Sequence, residues 1–201
     1  WPASWPSCDA VAGMTVQQDG RQVSVKVALT GAADTGKLAI LRAIAGRYGS
    51  ATVREHSVGA VHVHRVEWTE PLTLPDGRFL NVAVHSLTGR VEYNAAEELL
   101  VRDAAGIVFV VDVDPAKFKM TWDSLMRLSD NTKRNGFDLH SVGLAIQYHR
   151  ADLYPDFEPE KLDHRLGVPP GMIPRFVSTS REPDAEGLAF DSVLAQIREK
   201  L

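Results

Sequence analysis

The sequence predicts an α/β fold: a mostly parallel sheet of six strands, one antiparallel hairpin within it, and helices on both faces. Three observations predict it. Ile107-Val-Phe-Val-Val111 is a continuous apolar run of strand length, the pattern of a parallel strand buried on both faces. Segments with a two-residue period alternate along the chain with segments of helical period, in the order βα, ββ, α, βα, β(α), βα. Pro75-Asp-Gly77-Arg78 is a strong turn signal between two alternating stretches, so residues 61–85 read as the hairpin.

Composition sets outer limits. The chain has 201 residues, 44% hydrophobic and 24% charged, enough for one large domain with its own core. Net charge is −4, so no global field draws it to nucleic acid or to an anionic membrane. No apolar run approaches the roughly 18 residues a spanning helix needs, so no membrane insertion is expected. The one cysteine, Cys8, cannot close an internal disulfide, which favours a reducing, cytoplasmic setting. Trp1-Pro-Ala-Ser-Trp-Pro6 lacks an initiator Met and a secretory pattern. Residues 1–20 therefore read as an extension, an expression remnant or the cut edge of a longer protein, and 21–201 as the domain.

Val23, Val25, Val27 and Leu29 alternate with Ser24, Lys26 and Ala28, which makes the first strand. It runs into Gly31-x-x-x-x-Gly36-Lys37, the phosphate-binding glycine-loop pattern up to its last position, where Leu38 stands in place of Ser or Thr. Leu41, Ile44, Ala45 and Tyr48 follow at helical spacing, with Gly49 as the stop. A loop between a strand and a helix N-terminus is the context in which that pattern means anion binding; without it the loop is only a glycine-rich turn. Residues 50–60 read as polar and irregular. Val61 and Val63 alternate out of phase with Val66 and Trp68, which predicts a bulge near His64-Arg65. Asn94 and Glu97 read as a capping box for a helix ending near Gly106. Asp114-Pro115 reads as a cap followed by a first-turn proline, with Phe118, Trp122, Leu125 and Met126 as the buried face of the next helix. Residues 142–148 and 175–177 read as strands, 159–166 as a short helix, and Phe190, Val193, Leu194 and Ile197 as the core face of the last helix. His62, His64 and His85 suggest a zinc set, with a polar hairpin face as the simpler reading. Asp112 and Asp114 look like an acid pair, but Asp114 is better explained as a cap.

The order of loops then matters. The glycine loop, Ser86-x-x-Gly89, His149-Arg-Ala-Asp152 and Ser178-Thr-Ser180 resemble the nucleotide loops of Ras-like small GTPases. Leu87-Thr-Gly89-Arg90-Val-Glu-Tyr93-Asn94-Ala95 and Ile146-Gln-Tyr148-His149-Arg150-Ala151-Asp152-Leu153 look most like the bacterial gliding-motility GTPases of the MglA type, over about Val23 to Leu201. The resemblance implies a P-loop domain in which Gly31, Ala32, Ala33, Asp34, Thr35, Gly36, Lys37 and Leu38 surround the phosphates and the Gly89 N–H senses the γ-phosphate. It implies that Asp152 reads the guanine edge, with His149, Arg150, Ser180 and Arg181 around the base.

The departures point one way. Leu38 removes the hydroxyl that would ligate magnesium. Ser86 stands in place of an aspartate, as in the MglA type, and Arg90 in place of the water-orienting glutamine. Arg90 is the candidate for a catalytic arginine, against the plainer reading of a solvated loop residue. His149 and Arg150 replace the Asn-Lys of the base loop, and His64 falls near the place of the switch threonine. The expectation is weak or magnesium-independent GTP or GDP binding, no confident catalytic residue and no protein metal ligand. Action would come by binding a protein partner through hairpin 50–70 and loop 86–93, a roadblock-fold regulator among those the resemblance implies. The alternatives left open are an active, slow GTPase and a nucleotide-free scaffold.

Overall fold

The computed structural model describes residues 14–16, 20–49, 52–58, 61–88, 94–169, 171–179 and 183–201. Its sheet comprises β1 (Met14–Val16), β2 (Gln22–Thr30), β3 (Arg54–Val58), β4 (Val61–Thr73), β5 (Phe79–Thr88), β6 (Gly106–Asp112), β7 (Gly143–His149) and β8 (Arg175–Val177). The order is β3-β4-β5-β2-β6-β7-β8, with β1 paired to β2 off that path. Strands β5, β2, β6, β7 and β8 run parallel, whereas β1, β3 and β4 pair antiparallel. The helices are α1 (Lys37–Arg47), α2 (Asn94–Val101), α3 (Phe118–Arg134), α4 (Pro159–Leu166) and α5 (Leu188–Arg198).

The fold class is the expected mixed α/β sheet, with eight strands rather than six. β1 lies in the segment set aside as an extension. β3 lies in the stretch that read as irregular. Arg54, Glu55, His56 and Ser57 are all exposed, so no apolar alternation marks β3, and its pairing with β4 holds it.

The sheet is covered on both faces. Val25, Val27, Val66, Trp68, Val108 and Val110 pack with Ile40, Leu41, Ile44, Phe190 and Val193 of α1 and α5. Ala28, Ile107, Phe109, Val111 and Tyr148 pack with Leu100 of α2, Leu128 of α3 and Leu166 of α4. This double cover explains the phase break in β4. Pairing with β5 runs without a shift from His62↔Thr88 to Thr69↔Asn81, so the predicted bulge at His64-Arg65 is absent. Val66 and Trp68 face one core while Val61 and Val63 pack against the other. The register shifts instead between Thr69 and Thr73, the stretch that contains Pro71, which has no N–H to give a ladder.

Three further differences are local. α2 ends at Val101, and Glu97 receives Arg127 Nε at 2.8 Å, so its carboxylate serves a contact with α3; the Asn94 side chain lies outside the described set. Pro115–Lys117 forms a separate 3-10 turn, capped by Asp114 accepting from the Ala116 N–H, before α3 begins. The most buried residues of α3 are Thr121, Ser124, Leu128, Asn131 and Thr132, while Met126 is exposed and Phe118, Trp122 and Leu125 are only half-buried. Short polar side chains let α3 approach the sheet closely, which an apolar-face count misses.

Trp68 locks the hairpin to the helices. Its ring stacks on Tyr48 at 4.6 Å and meets Phe190 edge-on at 5.6 Å. Trp68→Ala is expected to cost about 3–5 kcal/mol, read from urea unfolding.

Candidate functional site

The C-terminal ends of β2, β6 and β7 converge on the glycine loop, the usual place for a ligand in an open parallel sheet. Gly31 has φ +137°, and a Cβ there would lie 2.2 Å from the Val110 carbonyl oxygen of β6. Gly36 has φ +87°, and a Cβ there would lie 2.3 Å from Cδ2 of His149. Both glycines are therefore required by close approach as well as by conformation. Between them, the buried Thr35 hydroxyl donates to the Ala32 carbonyl at 3.0 Å. Asp34 stands at φ +56°.

Lys37 opens α1 and is buried. Its ammonium donates to the Gly31 carbonyl at 3.0 Å and to the Ala32 carbonyl, and lies 3.5 Å from Thr35 Oγ1. Burial pushes its pKa down to about 8, against the opposing fields of Glu97 and Asp34. Leu38 follows, half-buried, with no atom able to ligate a cation.

The loop after β7 is joined to this one. The His149 ring lies against Gly36, and its Nδ1 is 3.2 Å from Ser178 Oγ and 3.8 Å from Glu186 Oε1. Burial holds the imidazole below its usual pKa, helped by the Arg150 charge. Arg150 stands at φ +65° and donates from Nη2 to the Asp34 carbonyl at 2.8 Å and to Asp112. Lys117 Nζ lies 2.6 Å from Asp112 Oδ2 and 3.4 Å from the Asp34 carbonyl. Asp152 sits half-buried in the 3-10 turn Ala151–Leu153.

The structure thus brings together the 31–38 loop, His149, Arg150 and Asp152. Gly89, Arg90, Ser180 and Arg181 lie outside the described residues. Asp112 is the residue the sequence reading passed over. Its signal was an acid terminating a wholly apolar strand; set beside Asp114, it looked like half of a pair. Asp114 is a cap, and Asp112 is a buried anchor for two cations.

The zinc alternative for the histidines fails on register. His64 opposes Ser86, but His85 opposes Arg65, so His85 projects from the other face of the hairpin. Among the described residues no group of His, Cys, Asp or Glu could hold a metal ion. His62 pairs with Glu55 at 2.8 Å, and His64 Nε2 lies 2.7 Å from Thr88 Oγ1. Ser86 is wholly buried between His64 and Leu29, and its hydroxyl has no partner among the described residues.

No family model matches the chain. It is similar to the mutual gliding-motility protein MglA of Myxococcus xanthus (strain DK1622). The two are 26% identical over 142 residues, which is 69% of this chain and 73% of the relative. The fold is Ras-like. That distant likeness, with the strand order and the glycine loop at the β2–α1 junction, supports a small-GTPase ancestry. Among the described residues no helix is long and apolar enough to cross a membrane.

Burial holds His64, His85 and His149 below the ordinary histidine pKa, His85 at about 4. The unfolded chain therefore takes up more protons below about pH 6.5, so stability is full above that pH and falls toward about pH 4. Urea midpoints across this window are expected to decline, and His85→Gln to flatten part of the slope. Asp112→Ala is expected to cost about 2–3 kcal/mol in the same assay, because Lys117 and Arg150 both lose their carboxylate.

Proposed function

We propose that this chain is an MglA-like regulatory protein with a degenerate nucleotide site. It holds GTP or GDP weakly, through the phosphates and without a protein-ligated magnesium, and acts as a protein-binding switch or scaffold instead of by turnover. The observation that carries this reading is the junction at Lys37-Leu38. The glycine cradle and the lysine are intact, while the next residue opens α1 with an aliphatic side chain. Backbone N–H groups at a helix N-terminus and an ammonium suit phosphate oxygens. Leucine supplies no oxygen for a cation, and the buried Ser86 gives no carboxylate in its place. The residues present therefore fit a nucleotide's phosphates and do not fit a hydroxyl-ligated magnesium.

In this reading Asp152, with Ser180 and Arg181, faces the base. His149 and Arg150 tie the base loop to the phosphate loop. Gly89 and Arg90 border the γ-phosphate. The partner docks on hairpin 50–70 and loop 86–93, for which the exposed edge strand β3 offers unpaired backbone groups. The likeness to a gliding-motility protein supports a role in motility or cell polarity, in the cytoplasm, with a roadblock-fold regulator as the kind of partner. One observation favours the scaffold reading instead: Lys37 is already satisfied by the carbonyls of its own loop, so nucleotide must displace those bonds.

Fluorescent GTP and GDP, titrated with magnesium and with EDTA, decide between the readings. Micromolar binding indifferent to magnesium is expected. Absence of binding at millimolar nucleotide would establish the scaffold, and tight magnesium-dependent binding with phosphate release would establish a GTPase. Leu38→Thr is expected to introduce magnesium dependence; an unchanged response would show that this position does not face the cation.

A further inference from the structure

A second cavity, of about 340 Å³, opens between α3, α4 and the turn that follows β7. It belongs to the face of the sheet covered by α2, α3 and α4, since Phe118, Tyr154, Phe157 and Leu162 all pack against that core. Its size is that of a small-molecule pocket.

Two side chains there have chemistry the fold does not use. Thr121 lines the cavity at 1% exposure, and its hydroxyl has no hydrogen-bond partner among the described residues. A helical threonine ordinarily bonds back to a carbonyl one turn earlier, and burying the group unpaired is costly. Arg165 lies at the mouth with its guanidinium 3.9 Å above the Phe118 ring, paired with no carboxylate among the described residues. The acids around the cavity are largely committed: Asp112 to Lys117 and Arg150, Asp114 to the Ala116 N–H and Tyr154, Glu158 to Lys161. Asp156 is at the exposed rim.

We infer that this cavity binds a small aromatic carboxylate. The ring enters between Phe118, Tyr154 and Phe157, the Thr121 hydroxyl takes a hydrogen bond inside, and Arg165 meets the carboxylate at the mouth. An aromatic slot with one convergent hydroxyl and one uncommitted cation selects for a flat apolar body with an anionic end. The site is separate from the glycine loop and does not depend on what that loop binds.

Backbone amide chemical shifts test this, with benzoate, benzyl alcohol and acetate titrated separately into the intact protein over the millimolar range. Benzoate is expected to give saturable shifts confined to residues around Phe118, Thr121 and Leu162. Thr121→Val, which removes the orphan hydroxyl and keeps the shape, is expected to preserve the melting temperature and weaken benzoate about fivefold. Arg165→Gln is expected to weaken benzoate about tenfold and leave benzyl alcohol unchanged. The inference is overturned if benzoate gives no saturable shift, if acetate reproduces its shifts, if benzyl alcohol binds as well as benzoate, or if both variants bind benzoate like the parent.

Discussion

The buried carboxylate of Asp112 holds the site together. It ends the central strand β6, almost wholly out of water, and holds Lys117 from the turn before α3 and Arg150 from the loop after β7. Both cations also reach the Asp34 carbonyl at the tip of the glycine loop. Three loops that are distant in sequence are thereby fixed to one oxygen pair. A buried charge is stabilising only while its partners stay in place, so movement of any one loop is felt by the other two. The same arrangement sets the field around Lys37, since Arg150 and Lys117 hold positive charge at the rim while the lysine itself is desolvated.

Much of the fold was legible because burial leaves a periodic trace. The apolar run of β6, the alternation of β2, the Asp114-Pro115 cap and the Pro75–Arg78 turn each follow from a local rule, and each stands where that rule put it. Features without an apolar trace were not legible. β3 is exposed on all its described side chains and exists by backbone pairing alone. The phase break in β4 read as a bulge because the rule for a half-buried strand was applied to one whose two ends face different cores. α3 buries threonine, serine and asparagine, which a hydrophobic pattern assigns to solvent.

The site was legible in part for the same reason. The glycines announced themselves through spacing, and their geometry explains why: one faces a backbone carbonyl and the other an imidazole, with no room for a methyl group. The contacts that join the loops were not readable. Arg150 to Asp34 spans 116 residues and Arg150 to Asp112 spans 38, and no local pattern reports such pairs. His149 looked like a weakened base reader by its identity. Its place against Gly36 and Ser178 makes it a packing element between two loops. The departures at Leu38, Ser86 and His149 thus alter the chemistry of the site while leaving its architecture closed.

Lys37 gives the most direct test, because it lies where the phosphates would lie and its ammonium is held below its normal pKa by burial. Its side-chain amine can be titrated by NMR in EDTA, with and without saturating GDP. Without nucleotide it should titrate near the value of about 8 that burial imposes. With GDP and no magnesium, the phosphate charge should move it upward. A Lys37 titration unchanged by GDP in EDTA, but moved once magnesium is added, would contradict the magnesium-independent site.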